Sequence, residues 1–331
     1  MKNENLLEVE HLSKEYLSRQ KAKGKHLTVK AVDDVSFYVK RCETFGVVGE
    51  SGCGKTTLGK CIVRLHQPTA GEMHFNMDGE SRDILTLSKS ESFRMRQKIQ
   101  IIFQDPYASL NPMHNILEAF DEPLRIHGFG NKETRRELVA EMLETVNLQP
   151  DYMFRFPHEF SGGQRQRICI AKALALKPDL VVCDEPVSAL DVSIQAQILN
   201  LMKKLQREFS LSYLFIAHDL SVVQYMSDRI AVMYLGKIVE TGPADKLCHN
   251  CRHPYTKALL SAVPTPVYGE KKQRIILPGD VPSPIHPPSG CRFHTRCEYC
   301  MERCVKEEPK LKPLGEGEYE IACHLYHTDG K

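Results

Sequence analysis

The chain has 331 residues, room for one large domain or two modest ones. Charged residues make up 26% and apolar residues 42%, an ordinary globular balance, and the formal charge of +2 gives no electrostatic case for a nucleic-acid partner. No apolar run approaches the ~18 residues of a membrane span, and the opening MKNENLLEVEHLSKEY has acidic residues and no apolar core, which predicts a chain without a secretory leader, in the cytosol or on the cytosolic face of a membrane.

In chain order, LLEVEHL, VKAVDDVSFYV and TFGVVGE read as strands over residues 5–48, with the basic stretch 18–30 as an exposed hairpin or loop. Phe45-Gly46-Val47-Val48 is a buried strand leading into Gly49-Glu50-Ser51-Gly52-Cys53-Gly54-Lys55-Thr56, and Thr57 to Val63 is the helix leading out. In that context small residues let backbone N–H groups cradle phosphate oxygens, Lys55 meets the β- and γ-phosphates, and the Thr56 hydroxyl ligates Mg²⁺. The alternative is a glycine-rich turn that binds nothing; the Gly-Lys-Thr ending and both flanks favour the P-loop.

Gly71 to Phe75 reads as another strand. Residues 90–160 then change character: Ile116 to Ile126 and Glu133 to Leu148 have helical spacing and predict a helical insertion, with Leu138, Met142 and Val146 on one face of its second helix. Helix is expected over Arg165 to Leu176 and Ile194 to Phe209, and buried strands over Leu180 to Cys183 and Tyr213 to Ala217. A hairpin turns at Leu235-Gly236, a short helix spans 254–262, and dense proline from Pro264 to Pro288 predicts a linker before a cysteine-rich tail.

The second nucleotide signal is Leu180-Val181-Val182-Cys183-Asp184, a strand that delivers Asp184 to the sheet's C-terminal edge, where it can hold Mg²⁺. Glu185 follows, placed to orient or deprotonate a water; the competing reading is a solvated pair of acids at a strand end. Between the two signals, Ser161-Gly162-Gly163-Gln164 opens a helix. It reads either as a second phosphate device at a helix N-terminus or as an ordinary cap made by Ser161.

Taken together, these motifs resemble the ATP-binding cassette (ABC) ATPases over residues 6 to about 262. Ser161-Gly162-Gly163-Gln164 matches the family signature, Gln104 its Q-loop, Ser188-Ala189-Leu190-Asp191 its D-loop, His218 its switch histidine and Tyr16 the aromatic that stacks on adenine. The resemblance implies a RecA-like α/β core with an antiparallel β subdomain and a helical subdomain. It implies that two cassettes pack head to tail around two ATP molecules, each site taking its signature turn from the other subunit. Glu185 is then the base or water-orienting carboxylate, with Lys55, His218 and Gln104 as its catalytic companions. The loop 49–57 (Gly49 to Thr57), Tyr16, Gln104, Asp184, Asp191 and Ser161 to Gln164 contact nucleotide, and Thr56, Gln104 and Asp184 serve Mg²⁺.

Of twelve cysteines, Cys42, Cys61, Cys169 and Cys183 sit among apolar residues and are expected as core thiols; in a reducing compartment none is expected to pair. Cys291-x5-Cys297-x6-Cys304-x18-Cys323 is a four-thiol set with Cys300 inside it, in a tail too polar to build its own core. Such thiols suit zinc or an iron–sulfur cluster, and spacing does not choose between them. Cys248-His249-Asn250-Cys251 resembles a metal knuckle but has no second ligand pair nearby.

GCRFHTRCEYCMERC, HPYTKALLSAVP and ACHL in the tail, with GESGCGKTTLGK, DPYASLNP, CDEPVSALDVSIQAQILNLM and MYLGKIVE in the cassette, resemble the OppF/DppF-like ATPases of bacterial oligopeptide and dipeptide importers. That resemblance implies a cassette over 1–263, its helical subdomain at about 94–160, and a C-terminal extension over 264–331. It also implies a [4Fe–4S] cluster on Cys291, Cys297, Cys304 and Cys323, with zinc as the alternative. The implied partners are a second ATPase subunit, two membrane permeases and an extracytoplasmic peptide-binding protein. A soluble ABC ATPase acting on ribosomes, DNA or iron–sulfur assembly is the competing reading. The single cassette, the roughly hundred residues between Thr56 and Ser161, and the proline-linked tail disfavour it.

Overall fold

The computed structural model describes residues 5–22, 25–263, 274–315 and 317–327. The chain resolves into two compact units. One holds Val39–Glu43 and His74–Phe215 with the first residues of the chain; the other holds Glu8–Tyr38, Thr44–Met73 and the chain from Ile216 onward.

The strands β1 (Asn5–Ala22) and β2 (Lys25–Lys40) are paired neighbours in one sheet and run through most of the basic stretch 18–30, the hairpin of the two alternatives expected there. β3 (Thr44–Val48) is wholly buried, as a core strand with helices on its faces must be. It leads through the glycine loop into α1 (Lys55–Ile62), and β4 (Ala70–Met77) follows.

The unit around residues 74–215 begins where β4 pairs antiparallel with β5 (Glu80–Asp83), His74 opposite Asp83. α2 (Lys89–Lys98) starts at a capping box in which Ser88 and Glu91 satisfy each other's backbone N–H. β6 (Ile99–Ile102) lies inside the stretch expected to be helical, yet it is a parallel partner of β7 (Leu180–Asp184), Ile99 opposite Leu180. Four residues are too few for a period to declare itself.

The helices α3 (Ile116–Ile126) and α4 (Lys132–Thr145) start at Asn115 and Asn131, whose side chains accept from Glu118 N and Thr134 N. α4 stops three residues short of Leu148 because Asn147 takes a left-handed φ of 59°. α5 (Gly162–Leu174) and α6 (Val192–Phe209) carry the expected patterns, and β8 (Ser212–Ala217) lies beside β7.

In the other unit, α7 (Leu220–Met226) packs on β3, and β9 (Arg229–Tyr234) pairs parallel with it, Phe45 opposite Arg229. β10 (Lys237–Pro243) returns antiparallel through the Leu235-Gly236 turn, followed by α8 (Ala244–Asn250) and α9 (Pro254–Ser261). The proline stretch 264–273 lies outside the described residues.

The tail has no core of its own, as its composition required, and it uses that of its unit. Beyond α10 (Glu302–Lys306), the two-residue strands β11 (Lys312–Pro313) and β12 (Glu320–Ile321) extend the sheet, with Ile321 opposite Glu240. Phe293, Tyr319 and Ile321 are buried. Burying such side chains contributes about 1.5–3 kcal/mol each.

Cys61, Cys169 and Cys183 are core thiols, but Cys42 is exposed. It sits in the turn between β2 and β3 with a left-handed φ of 59°, flanked by the charged Arg41 and Glu43. Among the described residues no helix is long and apolar enough to cross a membrane.

Candidate active site

The phosphate loop is shaped by its glycines. A Cβ on Gly49 would lie 2.1 Å from the Met233 carbonyl, and one on Gly54 would lie 2.0 Å from the Ala31 carbonyl. Gly54 also takes a φ of 108°, closed to other residues. It caps α1 without any side-chain acceptor, so the helix opens with its backbone N–H groups and the positive end of its dipole. Lys55 is 4% exposed, and its Nζ donates to the carbonyls of Gly49 at 2.7 Å and Glu50 at 3.1 Å, which fixes the ammonium inside the loop. Gly236 N donates to Cys53 O at 2.8 Å and ties the loop to the β9–β10 turn.

Ser51 and Gly52 are exposed, while Thr56 and Thr57 are half-buried on α1. Glu50 spends its polar atoms on the protein: its amide donates to the Tyr255 hydroxyl at 2.9 Å, and its carboxylate accepts from Arg296 at 2.9 Å. Tyr16 stands edge-on to His66, with ring centroids 5.7 Å apart and Lys14 Nζ 5.0 Å from its ring. Burial pushes its phenol up, opposed by a hydrogen bond with Thr57 of α1. His218 is exposed just past β8.

The other unit carries the acids. Asp184, 3% exposed, ends β7. Glu185 follows with a φ of 48°, a conformation that is strained for a residue other than glycine and that turns its side chain off the strand line. Gln104 Nε2 donates to Glu185 Oε2 at 3.1 Å, so two residues far apart in sequence meet. Ser161 caps α5 in a closed box: its Oγ accepts from Gln164 N at 3.3 Å and its N donates to Gln164 Oε1 at 3.0 Å. Gly162 and Gly163 form the first turn. Asp191 caps α6, accepting from Ile194 N and Ser193 Oγ, which holds its carboxyl below the usual range.

The tail thiols are electrostatic neighbours: Cys291 is influenced by Cys297, Cys304 and Cys323, and Cys323 by Cys297 and Cys304. Cys291 N donates to Cys304 O at 2.8 Å. Burial pushes the Cys291 thiol up to about 12 and Cys323 to about 11. Among the described residues, however, no three His, Cys, Asp or Glu side chains are gathered closely enough to hold a metal ion. The expected ligand set is therefore assembled in kind and not in ligating geometry.

Comparison with known proteins decides the family. The pattern described as ABC transporter matches residues 32–188, and that described as oligopeptide/dipeptide transporter, C-terminal region, matches residues 239–304. A putative oligopeptide transport ATP-binding protein YkfD of Bacillus subtilis (strain 168) is 52% identical over 308 residues, covering 92% of each chain. The chain belongs to the oligopeptide/dipeptide ABC transporter ATP-binding family. The dipeptide transport ATP-binding protein DppF of Escherichia coli (strain K12) is 48% identical over 324 residues, 98% of this chain and 95% of that one. Among solved structures, the ATP-binding cassette MJ0796, captured as a dimer after hydrolysis with ADP and Pi, is similar at 29% identity and a TM-score of 0.62. It covers 72% of this chain and 98% of that one. As a member of this family of ATPases, the chain is an ABC cassette with a C-terminal extension.

Sequence reasoning missed Arg296 and Tyr255 as neighbours of the loop. No motif marks either residue; both reach Glu50 only through the packing of α9 and the tail.

Proposed function

We propose that this chain binds and hydrolyses ATP to drive uptake of oligopeptides or dipeptides, working on the cytoplasmic face of a bacterial membrane. The observation that carries the hydrolytic reading is Glu185, held by Gln104 beside the buried Asp184 at the end of β7. In this reading the N-terminus of α1 and Lys55 bind the phosphates. Tyr16 takes the adenine, and Glu185 orients or deprotonates the water. His218 steadies the charge that develops on the transferred group. Thr56, Asp184 and Gln104 would serve Mg²⁺, which would supply neutralisation of phosphate charge. Ser161 to Gln164 and Asp191, exposed or half-buried, serve the nucleotide of a second cassette subunit. The cassette spans residues 1–263 with its helical insertion, and the extension follows.

The partners of this reading are that second ATPase subunit, two permeases and an extracytoplasmic peptide-binding protein, with no nucleic acid. The near-neutral charge and the family's names support it. Affinity capture from native membranes, with partners identified by mass spectrometry, is expected to recover two permeases and a second cassette; ribosomal or DNA-bound proteins without a membrane subunit would overturn it. Glu185→Gln is expected to keep ATP affinity, accumulate as a closed dimer and lose turnover by about 10²–10⁴-fold. Turnover near the parent rate would remove Glu185 from its role.

For the tail, the reading is a [4Fe–4S] cluster on Cys291, Cys297, Cys304 and Cys323, with zinc as the alternative. The donor type of the four thiols and their sequence spacing support it. Burial raises the Cys291, Cys297 and Cys323 thiols, so loading would release protons. An anaerobic preparation of the full chain is expected to contain iron and labile sulfide; the absence of both overturns the cluster, and zinc in their place selects the alternative.

A further inference from the structure

The extension reaches the phosphate loop. In the segment Cys291–Cys297, a tight turn (His294 N to Cys291 O at 3.0 Å, Arg296 N to Phe293 O at 3.0 Å) presents Arg292, Phe293 and Arg296 to the rest of their unit. Phe293 packs against Tyr234, His253 and Tyr255. Arg292 donates to the Leu235 carbonyl and to Asp33, clamping the turn whose Gly236 N holds Cys53 O. Arg296, 7% exposed, donates from Nη1 to Glu50 Oε2 at 2.9 Å and from Nη2 to Oε1 at 3.4 Å, a two-pronged grip on a residue of the loop itself. Tyr255, packed on Phe293, takes the Glu50 amide.

Glu50 is an anomaly in a loop built for anions. A carboxylate among the N–H groups that receive phosphate repels the ligand and competes with it for those donors and for Lys55. A buried guanidinium fork cancels that charge and fixes its direction, as an ammonium on a flexible stem does not. We propose that Arg296 is a positioning residue for ATP binding: it holds the Glu50 carboxylate out of the phosphate cradle, and the C-terminal extension is thereby a working part of the nucleotide site. This inference rests on the ATP-binding reading of the loop.

The test is the affinity of the full-length chain for a fluorescent ATP analogue, with kcat and KM measured on the assembled transporter. Arg296→Met is expected to weaken nucleotide binding about tenfold, equivalent to about 1.4 kcal/mol. KM for ATP should rise in step while kcat stays within about twofold, the pattern of lost uniform binding. Arg296→Lys is expected to lose roughly threefold, since charge is kept and the fork is not. The decisive variant is Arg296→Met with Glu50→Gln, expected to bind within about threefold of the parent because the stray charge is gone. Unchanged affinity in folded Arg296→Met, or a double variant as weak as Arg296→Met or weaker, overturns the proposal and leaves Arg296 a scaffold residue. Should Arg296→Met fail to fold, Arg296→Lys decides: parental affinity there overturns the proposal equally. A parent chain that fails to bind ATP removes the loop reading and this inference together, whereas parental binding with an insensitive variant removes only the inference.

Discussion

The chain contains two glycine turns at helix N-termini, and they are built on different plans. The loop before α1 has no side-chain cap, and its shape is dictated by its surroundings, with Gly49 and Gly54 pressed against carbonyls of Met233 and Ala31. The turn before α5 is self-sufficient: Ser161 and Gln164 close it, and a Cβ on Gly162 would meet only Leu190 at an ordinary 3.5 Å. The first takes its shape from its neighbours, and its glycines serve its own fold. The second needs nothing from its ligand to be stable, and Gly162 is bare for no reason inside its own unit. A bare glycine there leaves room for the nucleotide contact proposed above.

Gly54→Ala tests the first plan most severely. The clash and the left-handed φ should cost upwards of about 2 kcal/mol and abolish ATP binding, seen as a lowered melting temperature and a flat nucleotide titration. A stable variant that still bound ATP would break the contrast at its stronger end. Gly163→Ala should cost about 1–3 kcal/mol, because its Cβ would lie 2.6 Å from Ile194 Cγ2, with chemical denaturation as the measure. Ser161→Ala should lose about 1 kcal/mol of cap. Gly162→Ala should change stability by less than about 0.5 kcal/mol while lowering ATPase activity of the paired assembly. Equal losses of stability at Gly162 and Gly163 would erase the distinction between a packing glycine and an exposed one.

The last effect is one of pH. Burial holds His253 near 3, and its Nδ1 accepts from Tyr255 N, so it folds in its neutral form. Below about pH 6.5 the unfolded chain gains a proton that the folded chain refuses. Stability therefore falls as pH drops from there toward 3, by up to about 1.4 kcal/mol per unit from this group. His253→Asn, which can still cap α9, should flatten the slope in denaturant titrations between pH 7 and 5.

The places of most residues proposed to handle nucleotide were legible because they are set locally. A strand, a glycine loop and a helix in succession fix where Lys55 and Thr56 go, and an apolar run ending in Asp184 fixes an acid at a strand end. The buried strands and long helices carried clear periods. Short elements did not: α2 holds few apolar residues, and β6 is four residues long. Contacts made by tertiary packing were invisible. Nothing in the spacing of Glu50 and Arg296, 246 positions apart, signals their ion pair. The tail's cysteines drew attention to metal, and its role as an extra edge of sheet, through Tyr319 and Ile321, went unread because a two-residue strand has no pattern to read.

That edge has a practical consequence. β10 pairs with β12, which in turn carries β11, whose Lys312 and Pro313 end the sheet with a charge and a missing N–H. Both features discourage further pairing. A fragment trimmed after α9 to isolate a minimal cassette would strip that guard and leave the backbone of Val239 to Thr241 without its Ala322 and Ile321 partners. It would bare Tyr234 and Tyr255 where Phe293 now covers them. Such a fragment should come out of cells as aggregate, through sticky strand edges, however intact its nucleotide motifs remain.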